Sequence, residues 1–161
     1  MGALSDSRRR HTRRNALLAF FAVVALVACG SGDATATRPI SVSDAWALAT
    51  VSGQPNGAVY FTVMSTADDT LEQVKVPDTV ADHAEMHESV ATATAAMEMR
   101  EMHSGVALEP GTAVTFTPGG MHVMLVDLVA PLAAGQTFDI TLEFAKADPI
   151  TLPVAVVESA P

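Results

Sequence analysis

Six methionines and four histidines fall in the 42 positions from His83 to Met124, while the one cysteine, Cys29, lies well outside that stretch. They come in groups: Met86-His87, Met97-Glu98-Met99, Met102-His103 and Met121-His122-Val123-Met124. Methionine is a soft thioether, and a generic apolar core does not need it repeatedly joined to imidazole. Thioether plus imidazole without thiolate is a ligand set suited to monovalent copper in an oxidising compartment. Zinc is a poorer match, because it prefers Cys, His and carboxylates to thioethers.

Extended chain would position such ligands economically. Side chains on a strand alternate faces, so His122 and Met124 project together, with Met121 and Val123 on the other side. Met97 and Met99 share a face in the same way, and Glu101 and His103 join them if the strand runs on. Two such pairs can each deliver ligands to one ion from a rigid element, with His87 the natural contributor from a neighbouring strand. Met86 and Met121 are out of phase with His87 and His122 and are expected in the core, as is Met64. His83 reads as a surface residue near Asp82 and Glu85. Met102 and His103 read either as a hairpin edge or as auxiliary ligands. Glu85, Glu88, Glu98 and Glu101 read as solvated strand positions.

The rest of the domain predicts short strands and frequent turns. Ala58–Ser65 is rich in β-branched and aromatic residues, and Leu71–Val76 is a weaker candidate. Further strands are expected near Ala84–Ser89, Ala96–Met102, Ala113–Thr117, Met121–Val129, Thr137–Phe144 and Ile150–Val157. Gly53-Gln-Pro-Asn-Gly57, Glu109-Pro-Gly111, Pro118-Gly-Gly120, Ala133-Ala-Gly135 and Asp148-Pro149 are turn signals. The Ala/Thr stretch Ala91–Ala96 reads as a hairpin loop. Eight or nine strands without an amphipathic helix predict an all-β antiparallel sandwich or barrel.

Residues 1–28 read as a signal peptide of the lipoprotein type rather than as part of the fold. Arg8, Arg9, Arg10, Arg13 and Arg14 precede an uninterrupted apolar run from Ala16 to Ala28. That run is shorter than the roughly 20 residues an ordinary spanning helix needs. Leu26-Val27-Ala28-Cys29 resembles a bacterial lipobox, which makes Cys29 the lipidation site and 29–39 a lipidated cysteine followed by a flexible tether. Residues 40–157 then form the domain and 158–161 a tail. Cleavage before Cys29 removes five arginines and Asp6, taking the net charge from −9 to −13. So acidic a surface repels nucleic acid, which is excluded as a partner. The membrane contact expected is the lipid anchor alone, at the extracytoplasmic face of the cell membrane, with either the general or the twin-arginine export route.

Pro118-Gly-Gly-Met-His-Val-Met-Leu-Val-Asp-Leu128 resembles the signature of the PCuAC family of periplasmic copper chaperones. Asp44-Ala-Trp46, Asn56-Gly-Ala-Val-Tyr60 and Met86-His87-Glu88 resemble other blocks of that family, in order, and the likeness runs from about Ile40 to Val157. The resemblance implies a cupredoxin-like Greek-key β-sandwich that binds one Cu(I) through two histidines and two methionines. Transferred to this sequence, the ligands are His87, Met99, His122 and Met124, with Met97 competing for the place of Met99. The stretch between His87 and His122 is slightly longer than the family pattern, and Met99 lies nearer the usual spacing from His122. The sequence ends at Pro161 without the His/Met-rich tail some members use for Cu(II), so the implied cargo is Cu(I). The implied recipient is a cuproprotein such as cytochrome c oxidase at its CuA centre, with a Sco-type thiol protein as a further partner.

No nucleophile with a base, and no carboxylate pair in a recognisable motif, points to an enzyme. A blue-copper electron carrier needs a cysteine thiolate beside two histidines, and the domain has no cysteine. The alternative to a copper carrier is an extracytoplasmic binding or assembly module in which the His/Met cluster is incidental.

Overall fold

The computed structural model describes residues 39–91 and 96–161. Cys29, the apolar run before it and residues 92–95 lie outside the described residues. Ten strands form: β1 (Ile40–Leu48), β2 (Gly57–Ser65), β3 (Asp69–Lys75), β4 (Ala81–Ala91), β5 (Met97–Glu101), β6 (Val106–Leu108), β7 (Ala113–Phe116), β8 (Met121–Leu128), β9 (Thr137–Phe144) and β10 (Ile150–Val157). Among the described residues there is no α-helix, and none is long and apolar enough to cross a membrane. The compact unit they belong to spans Ala36–Pro161.

The strands pair in the order β5-β4-β8-β2-β1-β10-β9-β3-β6, with β7 also on β2. The path is not closed into a barrel. At one end, β6 puts Val106 and Leu108 into the core, while β5 at the other end is exposed along its whole length. Val59, Phe61 and Val63 of β2, Met86 of β4, Val123 and Leu125 of β8, Leu71 of β3 and Phe138, Ile140 and Leu142 of β9 share one apolar cluster. Burying this much apolar surface is the main favourable contribution to folding.

Three features depart from the expectation. The sheet is mixed, because β1 runs parallel to β10, with Trp46 opposite Ala155, while the other pairings are antiparallel. A tenth strand, β6, exists because Val106–Leu108 pairs with Asp69–Leu71 of β3. Gly105 makes that approach possible: at φ +73°, a side chain there would place its Cβ 2.6 Å from the Leu71 carbonyl oxygen. Met64 is 38% exposed rather than in the core. The buried phase of β2 is Val59, Phe61 and Val63, so Met64 faces outward with Thr62.

Two strands are irregular. In β1 the register shifts between Ser43 and Trp46 around Asp44, which has φ +54°. This bulge re-aims the strand, and pairing resumes with Trp46 opposite Tyr60, their ring centres 4.4 Å apart. Pro153 sits within β10 but pairs only toward β9, because β1 takes up β10 from Ala155 onward. A residue without an N–H donor is tolerated on such an unpaired edge.

Candidate metal centre

The site is built on three adjacent strands, β5, β4 and β8. The long β4–β8 pairing sets His87 directly opposite His122 and Glu85 opposite Met124. Residues opposite each other in an antiparallel pair lie on the same face, so these four share one face of the sheet. On the other side of β4, Ser89 faces Met99, Ala91 faces Met97 and Glu101 faces His87. Both β5 methionines therefore also stand on the face that carries His87 and Ser89. The intervening residues turn the opposite way: Met86, Val123 and Leu125 are buried in the core, and Met121 packs against it. The alternation read from the sequence for β8 is the alternation present.

The two imidazoles lie 5.8 Å apart centre to centre, with their planes inclined by 32°. A metal about 2 Å from one nitrogen of each ring would sit roughly 3 Å from each ring centre. Both rings are therefore within reach of a single ion. Met99, His122 and Met124 line one cavity of about 400 Å³, together with Ala49, Asn56 and Tyr60. Met97 and Met99 are equally exposed, at 61%, but Met97 does not line this cavity, and nor does His87, which the β4–β8 register places beside His122.

Each imidazole has one nitrogen engaged and one free. The Nδ1–H of His122 donates to the Gly120 carbonyl at 3.1 Å, which leaves Nε2 with its lone pair. His87 Nε2 donates to Glu85 Oε2 at 2.8 Å, and its Nδ1 is buried with no protein partner. A buried polar atom without a partner is rare and marks strain or a missing ligand. The donor set suits a soft ion: two imidazole nitrogens with free lone pairs beside thioethers. Among the described residues, no three His, Cys, Asp or Glu side chains are grouped to hold a metal.

Two residues support this set. Glu85 is 26% exposed and bonds both His87 and, through Oε1 at 3.1 Å, His83. Those hydrogen bonds, from His87 first and His83 second, hold its carboxyl below the usual glutamate range. Glu85 is thus not a plain solvated position as expected from sequence. The spacing that could have found it is His83-Ala-Glu85-Met-His87, three polar side chains on one strand face. Asn56 donates from Nδ2 to the Met124 sulfur at 3.9 Å, and its Oδ1 accepts from the Asp127 N–H at 3.3 Å. The turn-rich loop before β2 thereby fixes a thioether of β8. Sulfur is a weak acceptor, so this contact orients more than it stabilises.

The other candidates go elsewhere. His83 is a surface residue between Asp82, at 2.8 Å, and Glu85. Those two bonds, Asp82 first, raise its pKa above 6.5. β5 ends at Glu101, so His103 does not continue the face. It is exposed and 3.1 Å from Glu101, while Met102 packs against the core. Glu88 pairs with Arg100 at 2.9 Å across β4 and β5, on the face away from His87.

Residues 40–156 match the family described as "Putative lipoprotein LpqE-like". The chain belongs to the LpqE-like family. A relative described as "Putative lipoprotein Lxx21020", from Leifsonia xyli subsp. xyli, is 38% identical over 117 residues, covering 73% of this chain and 68% of the relative. An uncharacterized protein of Rickettsia prowazekii, RP573, is 28% identical over 102 residues, covering 62% of this chain and 56% of its own length. Among solved structures, the copper-bound PCuAC domain from PmoF2 superposes with a TM-score of 0.60 at 30% identity, covering 75% of this chain and 94% of that one. The apo PCuAC domain from PmoF1 gives 0.62 at 27% identity, covering 76% and 95%. A Cu(I) form of DR1885 from Deinococcus radiodurans gives 0.59 at 22% identity, covering 80% and 86%, a likeness of fold alone. The LpqE-like domain is accordingly an all-β domain of the cupredoxin-like PCuAC kind.

Proposed function

We propose that this LpqE-like protein is an exported, membrane-tethered carrier that binds one Cu(I) through His87, Met99, His122 and Met124 and hands it to a cuproprotein. The observation that carries the reading is the facing pair His87 and His122, each with an unengaged ring nitrogen, beside the thioethers of Met124 and Met99. That set is soft and neutral, and suits Cu(I) better than zinc or a hard cation. The similar PCuAC domain from PmoF2 has been solved copper-bound, which supports the same cargo here. Met99 rather than Met97 fits the fourth place, because it lines the cavity with His122 and Met124.

The role is carriage rather than catalysis. No redox cycle is required of a site whose ligands all suit the reduced ion, and the ion is cargo. Tethering through a diacylglycerol on Cys29 is supported by the lipobox-like Leu26-Val27-Ala28-Cys29 and by the lipoprotein description of the family. The recipient proposed is the CuA centre of cytochrome c oxidase, with a Sco-type thiol protein as an intermediate partner. Anaerobic titration with Cu(I) against a chromogenic chelator tests the reading. One tightly held ion per chain and far weaker Zn(II) binding are expected; Zn(II) competing equally for the same site would end the case for copper carriage.

A further inference from the structure

We propose that Glu85 is the positioning residue that decides which nitrogen His87 offers to the ion, so that the two histidines bind through unlike atoms: Nδ1 of His87 and Nε2 of His122. This deepens the copper reading above and rests on it. An ionised carboxylate can only accept hydrogen bonds, and a neutral imidazole carries one N–H and one lone pair. The 2.8 Å contact between Glu85 Oε2 and His87 Nε2 therefore puts the proton on Nε2 and the lone pair on Nδ1. The Nδ1 atom is the one that is buried without a protein partner. At His122 the arrangement is reversed, because its Nδ1–H is committed to the Gly120 carbonyl.

The anchor of Glu85 is itself held from its far side. His83, Glu85 and His87 are spaced two apart on β4 and share a face, and His83 occupies Oε1 while His87 occupies Oε2. His83 is in turn fixed by Asp82 at 2.8 Å. The carboxylate is thus fixed in one orientation by two imidazoles, one at the surface and one in the site. Met124 lies opposite Glu85 in the β4–β8 register, so the carboxylate stands beside the thioether without being a soft ligand itself. A carboxylate bonded to the far nitrogen of a metal-binding imidazole fixes the tautomer and ring orientation and raises ligand basicity.

The test uses the full-length protein labelled with 15N, in which long-range proton–nitrogen correlation separates the two nitrogens of each ring. Without metal, His87 should show a protonated Nε2 and an unprotonated Nδ1. Anaerobic Cu(I) should then move Nδ1 of His87 and Nε2 of His122, leaving their partner nitrogens nearly in place. Glu85→Ala should scramble the His87 tautomer and weaken Cu(I) binding by about 10–100-fold. Glu85→Gln keeps an acceptor oxygen and should restore the tautomer and most of the affinity, an outcome a merely structural role would not produce. A protonated Nδ1 on His87, or Glu85→Ala with unchanged tautomer and affinity, overturns the role of Glu85 while Cu(I) uptake by the wild type stands. Wild-type protein that takes up no Cu(I) overturns instead the carrier reading, and with it the ligand role of Nδ1.

Discussion

Replacing Met124 by leucine removes one sulfur from the site and little else. Met124 is half-buried on the site face of β8, between Glu85 of β4 and Ala58 of β2. Leucine is close in volume, so the exchange should cost the fold less than about 1.5 kcal/mol. For a domain of only about 5 kcal/mol stability, that cost would leave about 0.3% of molecules unfolded. Unfolding therefore cannot weaken apparent Cu(I) affinity by even a hundredth. The lost contact from Asn56, at 3.9 Å to sulfur, is too weak to alter that balance. A tenfold loss of affinity, equivalent to about 1.4 kcal/mol, would report lost coordination, and at least that is expected. Met121→Leu is the matched control, since Met121 packs against the core from the opposite face. It should shift affinity by less than about twofold while costing the fold a similar amount. Chelator competition measures the affinities, and thermal unfolding followed by circular dichroism measures the fold. Equal sensitivity of Met121 and Met124 would refute the strand phase on which the site is built.

Met99→Leu should weaken Cu(I) binding more than Met97→Leu in the same competition assay; the reverse order would transfer the fourth place to Met97. Cys29→Ala should abolish lipid attachment, seen as loss of labelling by a radioactive fatty acid and as an unprocessed or misrouted precursor, while the isolated domain keeps its copper affinity. Because His83 gains carboxylate partners on folding, its pKa is raised above 6.5. The stability it contributes is fully present below its unfolded value and lost as pH rises through its folded value. A proton NMR titration should therefore find His83 titrating above 6.5 in the native protein, and Asp82→Asn, which removes the larger cause, should bring it down.

Those outcomes depend on features that the sequence discloses unequally. β9 was readable to the residue because Phe138, Ile140, Leu142 and Phe144 alternate strictly with more exposed positions between clear turn signals. The face shared by His122 and Met124 follows from the same period of two. β2 hid its phase, because Val-Tyr-Phe-Thr-Val-Met is apolar on both sides, and Met64 fell outward. β6 is three residues long and exists only by pairing with β3, a distant contact that local composition does not encode. The parallel β1–β10 pairing is equally silent in the chain. At the site, the residue types announced soft-metal chemistry, but the meeting of His87 with His122 depends on the register of two strands well separated in sequence. Glu85 was visible as a position and not as a partner, because its role depends on which way the neighbouring rings turn.

X-ray absorption at the copper edge of the anaerobically loaded protein reads the ligand set itself. A single Cu(I) held through His87, His122, Met124 and Met99 predicts sulfur and imidazole nitrogen together in the first shell, with the sulfur contribution reduced in Met124→Leu and the imidazole contribution reduced in His122→Ala. A first shell of nitrogen and oxygen alone, or a spectrum unchanged by both substitutions, would contradict it.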